Sequence, residues 1–186
     1  IQLGVPIAIN IENGIAAMAL AQLSGVTNEE IKLGMASFHG VDRRFDFKLK
    51  TDKVVYLSDY AHHPEEIRQS ILSMRALYQD KKITAVFQPH LYTRTRDFYQ
   101  EFADSLSLLD EVILTDIYPA RELPIEGVSS ELIYNHLRAG IEKTLCTKEE
   151  VLDVLRNKHI EVLITLGAGD IENYASNICE ILKEKC

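Results

Sequence analysis

Residues 54–64 read VVYLSDYAHHP, and this stretch decides the fold because a strand passes into a helix within it. The apolar run favours a buried strand, and Pro64 suits the first turn of a helix, where its missing N–H costs nothing. We therefore expect His63 to be the helix N-cap. The N–H groups of such a helix terminus favour an anion, and Asp59 is suited to accept hydrogen bonds from sugar hydroxyls.

The same alternation of strand and helix continues from this stretch to the end of the chain. Short apolar strands are predicted at ITAVFQ, EVILTDI, KTLC and IEVLITLG, and FDFKLK is expected to form a hairpin or a neighbouring strand with VVYLSDY. Such alternation implies right-handed crossovers and a mostly parallel sheet with helices on both faces. The sequence therefore predicts a Rossmann-like α/β domain over residues 43–186.

Two helices are predicted ahead of this domain, within residues 1–42. NGIAAMALAQLS has helical spacing and is followed by Gly25, and Thr27 with Glu30 forms a capping-box pattern ahead of IKLGMASF. These helices cannot bury their apolar faces alone. The chain begins at Ile1 without an initiator methionine, so we expect it to be a part of a longer polypeptide.

Composition excludes several classes of protein. The net charge of −8 argues against a broad nucleic-acid surface, because phosphate binding needs a basic field. No window approaches 18 uncharged apolar residues, and no signal-peptide pattern is present, so we expect a soluble, cytoplasmic protein without a membrane partner. The three cysteines lack CxxC spacing, which predicts free thiols and neither a disulfide framework nor a zinc site.

Four polar motifs follow predicted strands, where ligands bind in open α/β sheets: SDYAHHP, QPHLYTRTRD, TDIYPARELP and GAGD. The second places His90, Arg94 and Arg96 between a strand and a helix that Thr95 could cap, and arginines there favour capture of an anionic substrate. The alternative is that these arginines pair with neighbouring acidic side chains. No structural purpose for QPH is evident from the sequence.

Other features are open to more than one interpretation. Asp59 and the histidines could simply satisfy a strand end and a helix cap. Arg43 and Arg44 lie in the segment that joins the two leading helices to the sheet. GAGD lacks a full GxGxxG and could be a tight turn with Asp170 capping the last helix. No metal site is predicted at HHP, because adjacent side chains point apart and no carboxylate or cysteine cluster accompanies them.

Taken in order, the motifs resemble the C-terminal part of the Mur ligase family. They are NxxN before an alanine-rich helix, GVxRRFD, DYAHHP, FQPHxYTRTRD, DIYPAxExPI and GAGxI, and they run from about Asn10 to Gly169. The resemblance is to the members that add L-alanine to UDP-N-acetylmuramate in cytoplasmic peptidoglycan synthesis. It implies an ATP-dependent, amide-forming ligase that acts through an acyl phosphate, with Mg²⁺ offsetting phosphate charge.

The resemblance also implies residue roles. The positions matching ATP-binding residues are Asn10, Asn13, Arg44 and Asp59. Those matching or flanking the amino-acid site are Tyr60, His62, His90, Arg94 and Arg96. Two departures stand out: Ser58 replaces an aspartate found in many members, and Leu91 replaces an arginine. The second leaves more of the carboxylate contact to Arg94 or Arg96.

The chain contains no G-x-x-x-x-G-K-[ST] loop. The resemblance therefore implies that residues 1–42 are the last helices of a central ATP-binding domain and that residues 43–186 are the C-terminal domain. Alone, this part is expected to be inactive, and its partners are the N-terminal and central domains of the same polypeptide. Three alternatives remain: the Mur ligase relative that recycles a tripeptide, a non-catalytic nucleotide-binding module, and a metal-dependent hydrolase built on His62, His63 and His90.

Overall fold

The computed structural model of the protein describes residues 8–186. After Asp42 the chain divides into two compact units. Residues 1–7, which belong to the first predicted segment, lie outside the described residues.

The first unit contains the helices α1 (Ala8–Leu23) and α2 (Asn28–Ala36) in its described part. α1 starts earlier than the sequence suggested, and Gly25 follows it with a φ of 86°, a conformation that glycine adopts without strain. The predicted capping box is confirmed, since the Thr27 N–H donates to the Glu30 carboxylate at 2.9 Å. Apolar side chains remain exposed on both helices, including Leu23 at 85% and Leu33 at 72%.

The second unit, residues 43–186, is described throughout, and its sheet has six strands in the order β1-β2-β6-β3-β4-β5. Their bounds are β1 Asp46–Lys50, β2 Val55–Asp59, β3 Ile83–Phe87, β4 Glu111–Leu114, β5 Glu142–Leu145 and β6 Val162–Leu166. β1 runs antiparallel to β2, and every other neighbouring pair in this unit is parallel. The predicted mostly parallel α/β fold is therefore confirmed.

Helices cover both faces of this sheet. Their bounds are α3 Pro64–Leu77, α4 Tyr92–Leu106, α5 Glu131–His136, α6 Val151–Arg156 and α7 Ala175–Glu184, the last preceded by a 3₁₀ turn at Ile171–Tyr174. Successive residues of β3 point to opposite sides. Val86 joins an apolar cluster with Ile178 of α7, whereas the Phe87 ring lies 5.3 Å from that of Phe102 on α4. The four central strands, β2, β6, β3 and β4, are consequently buried on both sides, which explains their continuous apolar runs.

A buried carboxylate marks the amino-terminal edge of the sheet. Glu111, 1% exposed, forms ion pairs with Lys82 at 3.0 Å and with Lys158, and it accepts a hydrogen bond from Thr84 at 3.1 Å. A buried charge needs such partners, because an unpaired one is strongly destabilising. The charges at this edge are therefore satisfied inside the chain.

One predicted helix start is wrong. α4 begins at Tyr92, so Thr95 lies inside the helix, where it is buried and its hydroxyl donates to the Leu91 carbonyl at 2.9 Å. The predicted Thr95 cap therefore does not exist. Arg94 and Arg96 belong to the opening turns of α4 rather than to a loop before it.

Candidate functional site

The carboxyl ends of four strands lie side by side in the second unit. Asp59 is paired with Leu166, Leu166 with Phe87, and Phe87 with Leu114. The segments that follow these strands are SDYAHHP, GAGD, QPHLYTRTRD and TDIYPARELP. All four motifs singled out in the sequence therefore start from one edge of the sheet, which is where open α/β sheets bind ligands.

Asp59 closes β2 with its carboxylate turned into the protein. One oxygen accepts from the Ala61 N–H at 3.2 Å, and the other accepts from the Ser70 hydroxyl at 2.5 Å. Burial raises the pKa of Asp59 above its ordinary value, although these two hydrogen bonds oppose the shift. Part of its capacity to accept hydrogen bonds is thus used within the chain, and a contact to ribose stays a prediction.

The start of α3 follows the sequence in one respect and departs from it in another. His63 is the N-cap and Pro64 occupies the first turn, as predicted. The Glu66 carboxylate accepts the N–H groups of His62 at 3.0 Å and His63 at 3.2 Å. A carboxylate of the helix itself therefore occupies the two N–H groups that immediately precede the helix.

Four rings form a contiguous series across the edge. The Tyr60 and His62 centroids are 5.2 Å apart, those of His62 and His90 are 6.0 Å apart, and Tyr118 stacks on His90 at 5.6 Å. The Tyr118 N–H donates to the Pro89 carbonyl at 2.8 Å, which fixes the loop after β4 to the loop after β3. Three loops thereby contribute to one surface, which we call the ring cluster: Tyr60, His62, His90 and Tyr118.

Hydrogen bonds define the protonation of both histidines in the ring cluster. His62 Nδ1 lies 2.9 Å from the Tyr60 carbonyl, which can only accept, so this nitrogen carries a proton. Arg94 Nη1 lies 3.2 Å from His90 Nδ1, and a guanidinium can only donate, so His90 Nδ1 is unprotonated. Burial, together with the positive charge of Arg94, lowers the pKa of His90. His90 is consequently a neutral imidazole beside a fixed cation.

Gln88 has a structural purpose that the sequence did not reveal. Its amide is 2% exposed, donates to Asp170 at 2.8 Å and accepts the Ile171 N–H at 3.0 Å. Asp170 also pairs with Lys148 at 2.5 Å. The predicted capping of the last helix by the Asp170 side chain is therefore wrong, because the carboxylate is engaged by these two side chains instead.

The two glycines of GAGD allow the turn to pack closely against Gln88 and Tyr118. A Cβ on Gly167 would lie 2.7 Å from the Gln88 carbonyl oxygen, and the φ of Gly167 is 141°. A Cβ on Gly169 would lie 2.8 Å from the Tyr118 Cβ and closer still to the Gln88 amide oxygen. The motif is a tightly packed turn that holds the loops after β3, β4 and β6 together.

The start of α4 also uses an internal carboxylate. Glu122 accepts the Thr93 N–H at 3.0 Å and the Thr93 hydroxyl at 2.5 Å, and these hydrogen bonds lower the pKa of Glu122. Leu91, immediately before the helix, has a φ of 74°, which is strained for a residue with a side chain. Glu122 thus occupies the Thr93 N–H at the start of the helix. The Arg94 guanidinium is therefore the group of this helix start best suited to an anionic ligand.

Some predicted site residues do not join the ring cluster. The Arg96 guanidinium pairs with Asp97 at 2.8 Å on the exposed side of α4, as the alternative interpretation expected. Arg44 is exposed. Asn10 and Asn13 lie on α1, in the other unit. The ligand contacts assigned to these four residues through the resemblance stay predictions.

The sequence left other participants without a role. Ser58, 2% exposed, donates to the Glu172 carboxylate, and Glu172 pairs with Lys48 at 3.2 Å. The Arg43 guanidinium lies 4.8 Å from the centroid of the Tyr60 ring, and Tyr118 stacks in the ring cluster. These partners are remote in sequence, so spacing alone carried no signal for their contacts.

The structure also bears on metals, membranes and thiols. Across residues 8–186, no group of three or more histidine, cysteine, aspartate or glutamate side chains is arranged to hold a metal ion. The same residues include no helix long and apolar enough to span a bilayer. The predicted free thiols are confirmed at Cys146, Cys179 and Cys186.

A wound, mostly parallel sheet with ionisable and aromatic side chains gathered at its carboxyl edge defines the second unit as a doubly covered α/β domain, a class whose members bind ligands at that edge. Residues 43–173 match the family model described as Mur ligase, glutamate ligase domain. The chain belongs to the Mur ligase family.

Individual relatives agree with this assignment. The chain is 79% identical, over 185 residues and 100% of its length, to the UDP-N-acetylmuramate–L-alanine ligase of Phocaeicola vulgatus, of which it covers 40%. The crystal structure of a UDP-N-acetylmuramate–alanine ligase from Thermotoga maritima superposes with a TM-score of 0.82 at 27% identity, covering 99% of this chain and 40% of that one. A murein peptide ligase from Psychrobacter arcticus, with a TM-score of 0.68 at 17% identity over 98% of this chain and 38% of that one, shares the fold. The chain thus spans about two fifths of the length of the curated relatives it matches.

Proposed function

We propose that this chain is the amino-acid- and nucleotide-binding C-terminal part of a cytoplasmic ligase that joins L-alanine to UDP-N-acetylmuramate at the expense of ATP. The observation that carries the proposal is the 79% identity, along the whole chain, to a relative that bears this activity in its name. At that identity the two proteins share the fold.

The ring cluster provides the chemistry that an amino-acid carboxylate needs. Arg94 is a permanent cation, held by His90 at 3.2 Å, and a guanidinium fork matches the geometry of a carboxylate. Neutral His90 has its remaining proton on Nε2 and can donate it to an anion. We assign L-alanine to this surface, with Tyr60 and His62 beside it.

The nucleotide contacts are assigned on the basis of the family resemblance alone. In this assignment Asp59 accepts from the ribose, Arg44 contacts the phosphates, and Asn10 with Asn13 lies at the adenine. Arg96 is retained as a weaker candidate for the substrate carboxylate because it pairs with Asp97. Mg²⁺ is assigned to ligands elsewhere in the polypeptide, where it would offset phosphate charge.

The same proposal accounts for the first unit. Residues 1–42 are proposed to be the last helices of a central ATP-binding domain. The exposed apolar residues of α1 and α2 support this, since Leu23 is 85% and Leu33 is 72% exposed. Several large apolar side chains exposed on two short helices are typical of a segment that another part of a protein covers.

The reaction implied by the family has two steps. A carboxylate oxygen of UDP-N-acetylmuramate attacks the γ-phosphorus of ATP, which forms an acyl phosphate and releases ADP. The alanine nitrogen then attacks the acyl carbon, the bond to the phosphate oxygen breaks, and phosphate leaves as the amide forms. In this scheme the contribution of the present residues is positional: they bind the amino acid and orient it toward the acyl carbon.

The direct test is to join this chain to the remaining N-terminal part of the Phocaeicola vulgatus ligase and to measure ADP release with ATP, UDP-N-acetylmuramate and an amino acid. We expect ADP release that depends on L-alanine, and alanyl product detectable by mass spectrometry. The 186-residue chain alone should form no product. Product from the chain alone would contradict the proposed division of labour.

A second amino donor separates the proposal from its nearest alternative. If the joined protein used L-alanyl-γ-D-glutamyl-meso-diaminopimelate in preference to L-alanine, the tripeptide-recycling relative would be the correct assignment. If neither donor supported ADP release, the chain would be a module without ligase activity.

A further inference from the structure

Arg43 combines three features that are locally unfavourable. Its φ is 63°, in the left-handed region that residues with a side chain seldom occupy. Its Nε atom is buried, and no hydrogen-bond acceptor serves it among residues 8–186. A buried donor without a partner is rare in native proteins. The Arg43 side chain is also a partly buried cation.

The backbone of Arg43 is held in this conformation from both sides. Its N–H donates to the Asp46 carboxylate at 3.2 Å, and its carbonyl accepts the Tyr60 N–H at 2.6 Å. The second contact ties Arg43 to the first residue after β2. Arg43 is therefore anchored where the loop of SDYAHHP begins.

The side chain of Arg43 joins two of the loops at the carboxyl edge. Its guanidinium carbon lies 4.8 Å from the centroid of the Tyr60 ring, and Nη2 points to the Gly169 carbonyl at 3.4 Å. Tyr60 in turn contacts His62, with ring centroids 5.2 Å apart. Arg43 thus terminates the ring cluster at one end and connects it to the tight turn of GAGD.

We propose that Arg43 is a positioning residue for the amino-acid site, an inference that rests on the function proposed above. Unfavourable backbone and side-chain features persist where the surroundings enforce them, and they concentrate at functional sites. Every described contact of the Arg43 side chain goes to the site loops. The planar Arg43 guanidinium fixes the Tyr60 ring and is itself held against the tightly packed GAGD turn. The Tyr60 ring in turn fixes the position of His62.

The choice of variants follows from the backbone. Arg43→Gly removes the guanidinium and suits a φ of 63°, so it does not add strain. Arg43→Lys keeps the charge but loses both the planar stack and the fork. Arg44→Gly is the matched control, because Arg44 is exposed and adjacent in sequence.

The first measurement uses the chain as it stands. In ¹H–¹⁵N and aromatic ¹H–¹³C NMR spectra we expect one arginine Nε–H that exchanges slowly with water and disappears in Arg43→Gly. The ring resonances of Tyr60 and His62 should shift in Arg43→Gly and remain in place in Arg44→Gly. Unshifted Tyr60 and His62 rings in Arg43→Gly would overturn the proposal.

The second measurement uses the joined ligase described above. Arg43→Gly should raise the KM for L-alanine about 10- to 100-fold, because small displacements of Tyr60 and His62 weaken binding of the amino acid. The kcat and the KM for ATP should change much less. Arg43→Lys should recover part of the loss. Arg44→Gly should change the KM for ATP instead. A fall in kcat with an unchanged KM for L-alanine in Arg43→Gly would overturn the positioning role. If the joined ligase with native Arg43 showed no dependence on L-alanine, the proposed function would be wrong. The NMR result would then decide by itself whether Arg43 positions Tyr60.

Discussion

Gly169→Ala tests the packing that holds the edge loops together. The added Cβ would lie 2.8 Å from Cβ and Cγ of Tyr118 and closer to the amide oxygen of Gln88, so one of these side chains must move. Overpacking costs about 1–3 kcal/mol. Displacing Gln88 also weakens its hydrogen bonds, at about 1 kcal/mol each. Against this, the unfolded chain loses entropy worth about 0.4–1 kcal/mol when glycine becomes alanine.

The net expectation is a loss of about 2 kcal/mol in the free energy of unfolding, which for a chain of this size lowers Tm by about 4–8 °C. Urea unfolding followed by circular dichroism, with a thermal scan beside it, measures both quantities. Gly127→Ala is the control, because its φ is 75° but no atom lies within 4 Å of the new Cβ, so only backbone strain is added. The double variant with Gln88→Ala should be less destabilised than the sum of the single changes. A Gly169→Ala chain as stable as the native one would refute the reasoning.

Three further predictions concern charges near the site. Asp59→Asn should raise the free energy of unfolding, because burial disfavours the ionised carboxylate, whereas Asp59→Ala should lower it by about 1–3 kcal/mol by leaving the Ala61 N–H unpaired; urea unfolding of both variants decides. Ser58→Asp should destabilise by about 2 kcal/mol, since it sets a second carboxylate against Glu172, and Glu172→Gln should restore stability in the double variant. The folded state lowers the pKa of His90, so the unfolded chain binds more protons just below pH 6.5; stability should fall as the pH drops from there, and His90→Gln should flatten that part of the pH profile in urea titrations.

The sequence was informative about elements whose signals are local. The Thr27–Glu30 capping box, the His63–Pro64 helix start and the alternation of apolar strands with helices were each predicted and are present. These features depend on residues a few positions apart, so local spacing determines them. The convergence of four motifs on one edge followed from the rule for parallel sheets rather than from any single residue.

Predictions failed where the partner of a side chain is distant in sequence. The sequence indicates no structural purpose for Gln88. Its side-chain amide nevertheless donates a hydrogen bond to Asp170, 82 positions away. Thr95 was expected to cap α4, but Glu122 from the loop after β4 binds the first turn instead. Ser58 could not be understood without Glu172, 114 positions away. Side-chain partnerships between strand-end loops are set by the sheet order, which the sequence pattern leaves open.

The central claim is that the ring cluster binds the amino-acid substrate through Arg94. The most direct test compares Arg94→Ala with Arg96→Ala in the joined ligase, because the two arginines share one helix but only Arg94 contacts His90. Loss of a charge-assisted hydrogen bond costs about 1.5–3 kcal/mol, so Arg94→Ala should raise the KM for L-alanine about 10- to 150-fold. Arg96→Ala should leave that KM within about twofold, as expected for an exposed ion pair. Equal effects of the two changes, or an unchanged KM in Arg94→Ala, would contradict the account.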